Sequence, residues 1–292
     1  MQKESDIKPN ILVFMSDFGL SDRFVASMKG VALQVDRDLK LHDLTHLIEP
    51  FNIWEAAQTL SGTVVHWPKG TVFVSVVDPG VGTSRKSVVV RTKSGHFIVT
   101  PDNGTLTLVA DEIGLAEVRE IDENANRRPG SEEAATFHGR DVYAYTGARL
   151  AAGVITFEQV GPVLEQPVVK LPYQAAQLRD GVLTGSIVKI ERPYGNVVTN
   201  IPLALATKIG LNAEKMPSVQ LELINGRTVV LRMELPFVKS FGYVERAHPL
   251  LYPDSNGMLG LAVNGGSFAQ KFGVESGMGW SVRISKGRRV KE

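Results

Sequence analysis

The first 77 residues of this 292-residue chain alternate between short apolar runs and segments with helical spacing, and this alternation constrains the fold most strongly. The apolar runs, each of strand length, span residues 11–15, 39–44 and 71–77. Residues 22–35 and 53–65 between them predict helices, the second with Asn52 as its N-cap. The β-α-β-α-β order predicts an α/β domain with a mainly parallel, helix-flanked sheet, in which ligands bind beyond the carboxyl ends of the strands.

The pattern changes after about residue 168, where short apolar segments separated by turns replace the alternation. Asn225-Gly226 between two apolar runs predicts a β-hairpin. We therefore predict an α/β domain over 1–168, a linker over 169–180, and a smaller all-β, barrel-like domain over 181–292.

Charge and cysteine content exclude several classes of function. A net charge of +1 gives no electrostatic basis for nucleic acid or an anionic membrane as a partner, and the basic tail at 286–291 is typical of a solvated terminus. The absence of cysteine excludes disulfides and thiolate chemistry, and it is consistent with a reducing cytoplasm. Neither a secretory signal nor a membrane-spanning run is expected.

One carboxylate, Asp78, follows the third predicted strand in the sequence S-V-V-D-P-G-V-G-T. Arg85 comes seven residues later, and His138 lies on a separate loop-like segment. An Asp, an Arg and a His on three such segments could form a group that activates water, provided that the fold brings them together.

Asp17, after the first strand, has two interpretations: an Asx-turn or cap, or a carboxylate that binds a vicinal diol such as a ribose. A metal site is a further alternative, because a dinuclear hydrolase site could be assembled from Asp17, Asp43, His46, Asp78 and His138. A histidine on a loop is, however, more often a structural hydrogen-bonding residue.

Two segments of the second domain could contact a flat ring. Glu191-Arg192-Pro193-Tyr194-Gly195-Asn196 combines an aromatic ring, a glycine and an amide, although a hairpin turn explains the same residues equally well. Asn264 ends a strand beside a Gly-Gly turn that can present backbone groups to a ligand.

Taken together, seven segments in this order resemble the S-adenosylmethionine (SAM) hydroxide adenosyltransferase family, the hydrolytic relatives of fluorinase and chlorinase. They are S-D-F-G at 16–19, D-L-T-H at 43–46, D-P-G-V-G at 78–82, P-D-N-G at 101–104, T-F-H-G-R at 136–140, Y-G-N-V-V-T-N at 194–200 and A-V-N at 262–264. The resemblance runs from about Ile11 to Ile284, nearly the whole chain.

The resemblance implies that water attacks the ribose C5′ carbon of SAM and releases adenosine and L-methionine, with no metal or other cofactor. It also implies a homotrimer whose sites lie between the N-terminal domain of one subunit and the C-terminal domain of the next. Two other functions stay open: a sensor that binds adenosine or SAM without turnover, and a metal-dependent hydrolase.

The resemblance also assigns roles to individual residues. Asp78, Arg85 and His138 match the set that holds and activates the water, with either Asp78 or His138 as the base. Asp17 matches the residue that binds the ribose hydroxyls. The remaining expected contacts to substrate are Phe51, Phe137, Gly139, Glu191, Tyr194, Asn196, Phe241 and Asn264.

Three positions distinguish this chain from the halogenating relatives. Where those enzymes have Tyr and can have Thr, this chain has Asp78 and Val81, and Gly139 stands where fluorinase has a Ser for fluoride. A carboxylate beside the attack position repels a halide, so these differences imply hydrolysis rather than halogenation. Glu191 stands where the fluorinase-like pattern has Asp, which leaves its contact with the methionine amine open.

Overall fold

The computed structural model describes residues 10–275, 277 and 279–287, so most of the basic tail at 286–291 lies outside the described residues. The chain divides into two compact units, Met1–Leu171 and Pro172–Glu292. The segment 169–180, predicted as a linker, is shared between them. Val169 and Leu171 donate backbone hydrogen bonds within the first unit, whereas Gln177–Arg179 forms a strand of the second.

The N-terminal unit is an α/β domain built on one mixed sheet of six strands in the order β2-β1-β3-β5-β4-β6. Its strands are β1 (Ile11–Ser16), β2 (Lys40–Thr45), β3 (Val72–Val76), β4 (Ser87–Thr92), β5 (Phe97–Pro101) and β6 (Leu115–Glu120). Its α-helices are α1 (Phe24–Val35), α2 (Ile53–Val64), α3 (Glu123–Asn126) and α4 (Tyr145–Ala151). Shorter helical turns span Val109–Ile113, Gly139–Ala144 and Glu158–Val160.

Alternate residues of the central strands enter two separate hydrophobic cores, as the period of two along a strand requires. Leu12 and Phe14 of β1 pack in the core that includes residues of α1 and α4. Val13 and Met15 pack in the core that includes residues of α2. Both strand faces are therefore apolar, which is why β1 reads as a continuous apolar run.

The predicted strands and helices of this unit are found, but the sheet is only partly parallel. β2-β1, β1-β3 and β3-β5 pair in parallel, whereas β5-β4 and β4-β6 pair antiparallel. The reason is the short connection between β4 and β5, because a turn of a few residues can join antiparallel strands only. Asn52 caps α2 as predicted, its side chain accepting a hydrogen bond from the Glu55 N–H at 3.0 Å.

The C-terminal unit is an all-β domain with one strongly curled sheet in the order β11-β10-β14-β8-β9-β13-β12, with β7 paired to β8. Its strands are β7 (Gln177–Arg179), β8 (Val182–Glu191), β9 (Asn196–Pro202), β10 (Ser218–Asn225), β11 (Thr228–Pro236), β12 (Pro249–Pro253), β13 (Met258–Val263) and β14 (Trp280–Lys286). Two short helices, α5 (Leu203–Lys208) and α6 (Phe268–Phe272), and short turns at Ala213–Lys215 and Phe241–Tyr243 complete the unit.

Curling brings the two ends of this sheet together, since Phe237, just after β11, forms a bridge with Leu251 of β12. The predicted hairpin is confirmed: β10 and β11 pair antiparallel, and Asn225 pairs with Thr228 across the turn. Throughout the ranges that the structure describes, no helix is both long enough and apolar enough to cross a membrane.

Candidate active site

The loop after β3 holds Asp78 and Arg85 in a tight ion pair. Arg85 Nη2 donates to Asp78 Oδ2 at 2.6 Å, and Arg85 Nε lies 3.0 Å from both carboxylate oxygens. Only 10% of the Arg85 side chain and 5% of the Asp78 side chain are exposed. A buried pair with this geometry fixes both side chains, because removing either partner leaves an uncompensated charge.

The same guanidinium also reaches His138, which lies at the start of the Gly139–Ala144 turn. Arg85 Nη2 lies 2.9 Å from His138 Nδ1. Gly82 permits this meeting of two loops: its φ is +75°, and a Cβ there would come within 2.9 Å of the Ala135 carbonyl oxygen. The structure thus brings the three residues together from two segments rather than the three that the sequence suggested, with Asp78 and Arg85 on one loop and His138 on another.

Each ring nitrogen of His138 faces an arginine. Nδ1 faces Arg85, and Nε2 lies 3.1 Å from Arg127 Nη2. A neutral imidazole has one lone pair and can accept from only one of these guanidinium groups, while an imidazolium can accept from neither. Burial, together with the positive charges of Arg85 and Arg127, lowers the pKa of His138, although Glu123 and Asp78 oppose the shift.

Four further side chains complete the cluster, and the sequence reasoning missed all of them. Ser87 Oγ accepts from Arg85 Nη1 at 2.9 Å and lies 3.2 Å from both Glu123 Oε1 and the Tyr143 hydroxyl. Tyr143 OH lies 3.4 Å from Asp78 Oδ2, and burial raises its pKa, so it stays protonated.

Arg127, the fourth of these side chains, is paired with Glu123. The spacing of Glu123 and Arg127, four residues apart, is the one sequence signal that pointed to an interacting pair here.

Asp17 follows β1 and holds the backbone of a different loop. Its Oδ2 accepts a hydrogen bond from the Phe51 N–H at 2.9 Å. Phe51 has a φ of +68°, a conformation that residues other than glycine rarely adopt, and its side chain is 70% exposed. Burial raises the pKa of Asp17, while the hydrogen bond from Phe51 opposes the increase.

Phe137 and Gly139 flank His138 and pack against aromatic side chains. The Phe137 ring lies 6.0 Å from that of Phe18 and 5.2 Å from that of Phe24. A Cβ on Gly139 would come within 3.2 Å of the Phe18 ring and 3.3 Å of Val76. A larger residue at position 139 would therefore have to displace the Phe18 ring.

The candidate residues of the C-terminal unit converge on one cavity within that unit, with a volume of about 990 Å³. They are Glu191, Tyr194, Asn196, Phe241 and Asn264. A concave space of this size with aromatic and polar walls is typical of a small-molecule site.

Several of these side chains already have partners in the cavity wall. Asn196 Nδ2 donates to Glu191 Oε2 at 2.9 Å, and Asn264 Nδ2 donates to the Val244 carbonyl at 2.8 Å. Phe241 packs on Tyr252 with ring centroids 5.0 Å apart. Gly195 is required between Tyr194 and Asn196, because a Cβ there would overlap the Ser267 side chain.

The metal alternative finds no support in the geometry. His46 is buried and bridges Ser16 Oγ at 2.7 Å and Asp43 Oδ1 at 3.0 Å, and Asp43 in turn binds Lys29. Burial lowers the pKa of His46, which is typical of a structural histidine. In the part of the chain that the structure covers, no group of three or more His, Cys, Asp or Glu side chains is arranged to hold a metal ion.

An α/β domain with a buried Asp-Arg-His cluster beyond its strand ends, followed by a β-domain with a ligand-sized cavity, defines a two-domain enzyme acting on a small molecule. Residues 12–161 match the SAM hydroxide adenosyltransferase N-terminal domain, and residues 185–281 match the C-terminal domain of the same family. The chain therefore belongs to the SAM hydroxide adenosyltransferase family.

Individual relatives support this assignment over most of their length. The chain is 32% identical to an (R)-S-adenosyl-L-methionine hydrolase of Methanocaldococcus jannaschii, with 87% of this chain and 88% of that protein covered. It is also 32% identical to a fluorinase of Actinopolyspora mzabensis, covering 94% and 97%. An uncharacterized conserved protein from Thermotoga maritima has a similar crystal structure, with a TM-score of 0.85, 35% identity, and 94% and 100% covered.

Proposed function

We propose that this protein hydrolyses SAM to adenosine and L-methionine. Relatives of the chain from Methanocaldococcus jannaschii and Thermus thermophilus, at 32% and 34% identity, are named (R)-S-adenosyl-L-methionine hydrolases. The observation that carries the proposal is the buried cluster of Asp78, Arg85 and His138. A sensor that only binds adenosine would not need a carboxylate, a guanidinium and an imidazole in mutual contact.

The reaction needs little chemical assistance at the leaving group. A water oxygen forms a bond to C5′ of the ribose while the C5′–S bond breaks. The electron pair of the C5′–S bond goes to the sulfonium sulfur, and methionine departs as a neutral thioether. The attacking water loses one proton. The protein must therefore hold the water about 3 Å from C5′, in line with the C5′–S bond, and accept that proton.

Asp78 is the stronger candidate for the base. Both ring nitrogens of His138 face guanidinium groups, so neither offers a free lone pair. By contrast, Asp78 Oδ1 accepts a single hydrogen bond within the described part of the chain, from Arg85 Nε. Asp78 Oδ1 would take the proton of the water, and Arg85 would hold the carboxylate in place.

The remaining roles follow the resemblance. Asp17 would bind the ribose hydroxyls. Phe51 and Phe137 would line the adenosyl group on the side of the N-terminal domain. In the C-terminal domain, Tyr194 and Asn196 would line the adenosyl group, Asn264 would meet the adenine, and Phe241 would line the same pocket. Glu191, already engaged by Asn196, would face the methionine amine.

Water rather than halide is the expected nucleophile. A carboxylate at position 78 repels an anion, and the Phe18 ring occupies the space beside Gly139 that a larger residue would need. Gly139 also carries no hydroxyl group that could hold a halide ion.

The test is incubation of the protein with SAM, with and without chloride or fluoride, followed by chromatography for adenosine and halo-adenosine. We expect adenosine alone under all three conditions. Asp78→Asn should lower kcat by about 100-fold or more while adenosine still binds. The matched control is Asp38→Asn. Asp38 is an exposed aspartate outside the cluster, so this variant should retain full activity.

Tight adenosine binding with no turnover by the wild-type protein would favour the sensor instead. The homotrimer with sites at its subunit interfaces, and the cytoplasmic location, are further parts of the proposal. Light scattering should give three times the mass of one 31.8 kDa chain.

A further inference from the structure

Among the side chains that complete the cluster, one ion pair contacts His138 at the ring nitrogen that does not face Arg85. Arg127 pairs with Glu123, and 13% of the Arg127 side chain and 34% of the Glu123 side chain are exposed. Arg127 Nη2 lies 3.1 Å from His138 Nε2. Arg127 Nη1 also lies 3.4 Å from the carbonyl oxygens of Ser131 and Ala134, in the segment that leads to His138.

Glu123 contacts the cluster by a second route. Its Oε1 accepts a hydrogen bond from Ser87 Oγ at 3.2 Å, and Ser87 Oγ accepts one from Arg85 Nη1 at 2.9 Å. One side chain, that of Arg127, thus links the Glu123 carboxylate to His138, and one side chain, that of Ser87, links it to Arg85. Glu123 is therefore connected to both partners of the Arg85–His138 contact.

We propose that Glu123 and Arg127 are positioning residues of the reaction, an ion pair that sets the charge and orientation of His138 while touching neither water nor substrate. The catalytic role of this pair rests on the proposed function, whereas the contact between Arg127 and His138 is independent of it.

The electrostatic argument follows from the position of the pair. The charged and titratable groups that face His138 are Asp78, Arg85, Glu123 and Arg127. On the turn that begins after His138, Arg140 and Asp141 pair with each other. Arg127 and Arg85 disfavour a proton on the imidazole, and the two carboxylates favour it. An uncharged His138 can still accept a hydrogen bond from Arg85, which keeps the guanidinium that holds Asp78 in place.

Opposite charges on the two members of the pair predict opposite effects. In Arg127→Met the imidazole loses a neighbouring positive charge, so the pKa of His138 should rise. In Glu123→Gln it loses a negative charge, so the pKa should fall. Arg127→Lys keeps the positive charge and should leave the pKa close to the wild-type value.

The measurement is a titration of histidine ring carbons by NMR in the selectively labelled full chain, with the signal of His138 assigned from its loss in His138→Gln. The control is Arg149→Met, because Arg149 also donates to the α3 region, to Ala125 O and Asn126 Oδ1, without contacting His138. This titration needs no substrate, so its outcome does not depend on whether SAM is hydrolysed.

The expected result is a rise in the His138 titration midpoint for Arg127→Met, a fall for Glu123→Gln, and no change for Arg149→Met. The acidic limb of the pH profile of kcat/KM for SAM hydrolysis should move in the same directions. Shifts of the same sign in both variants, or no shift in either, would overturn the inference. If Arg127→Met fails to fold, Glu123→Gln against Arg127→Lys decides the question in the same way.

Discussion

Replacing Arg85 by methionine tests the most heavily bonded residue of the cluster. The substitution keeps much of the apolar length of the side chain but removes the hydrogen bonds to Asp78, Ser87 and His138. Asp78, whose side chain is 5% exposed, would be left as a buried carboxylate without its cation. Breaking a buried pair in this way costs about 3–5 kcal/mol of unfolding free energy.

A double variant separates this effect from lost packing. In Asp78→Asn/Arg85→Met no buried charge remains at this ion pair, so the double variant should be more stable than Arg85→Met alone. The control is Arg91→Met, because Arg91 also pairs with a carboxylate, Glu117, but its side chain is 42% exposed. The control should cost about 1 kcal/mol or less.

The assay is urea unfolding followed by tryptophan fluorescence. Trp54 and Trp67 lie in the N-terminal unit and Trp280 in the C-terminal unit, so a Trp280→Phe background reports on the N-terminal unit. A cost for Arg85→Met as small as that of Arg91→Met, or a double variant no more stable than Arg85→Met, would refute the argument that Asp78 and Arg85 form a buried, mutually dependent pair.

Three further predictions concern the substrate, pH and metals. Asp17→Asn should weaken adenosine binding about 10-fold or more in calorimetry, because charge-assisted hydrogen bonds to the ribose are lost, whereas the exposed Asp22→Asn should bind normally. Burial lowers the pKa of His46 and of His138 in the folded protein, so below about pH 6.5 the unfolded chain binds more protons than the folded chain. The free energy of unfolding should therefore fall as the pH is lowered from about 7 to about 5, and less steeply in a His46→Gln/His138→Gln variant. Prolonged treatment with a chelator should leave SAM hydrolysis unchanged, and an activity restored only by added metal would contradict the metal-free mechanism.

Local patterns predicted much of the architecture. The β-α-β-α-β order of the first 77 residues, the Asn52 cap and the Asn225-Gly226 hairpin all depend on neighbours in sequence, and all are found. The antiparallel pairing of β6 with β4 was harder to predict than that of β5 with β4, because it joins residues that are distant in sequence, from Val88 with Glu120 to Thr92 with Leu115. Strand direction at a distant edge leaves no periodic signal.

The site shows the same division. Motif order identified Asp78, Arg85 and His138, and their contact became visible only in the structure. No motif marks the four residues that complete the cluster, apart from the four-residue spacing of Glu123 and Arg127. They come from β4, from the α3 region and from the turn after His138, which only the tertiary fold brings together. His46 was a candidate ligand from its sequence position, but its burial between Ser16 and Asp43 gives it a structural role.

The most direct test of the central claim is to run the reaction in water labelled with heavy oxygen and to analyse the products by mass spectrometry. If water held by Asp78 attacks C5′, each turnover should transfer one labelled oxygen to the 5′-hydroxyl of adenosine and none to methionine. The label should appear at the same position, far more slowly, with Asp78→Asn. Unlabelled adenosine, or cleavage at another carbon of the sulfonium, would contradict the account.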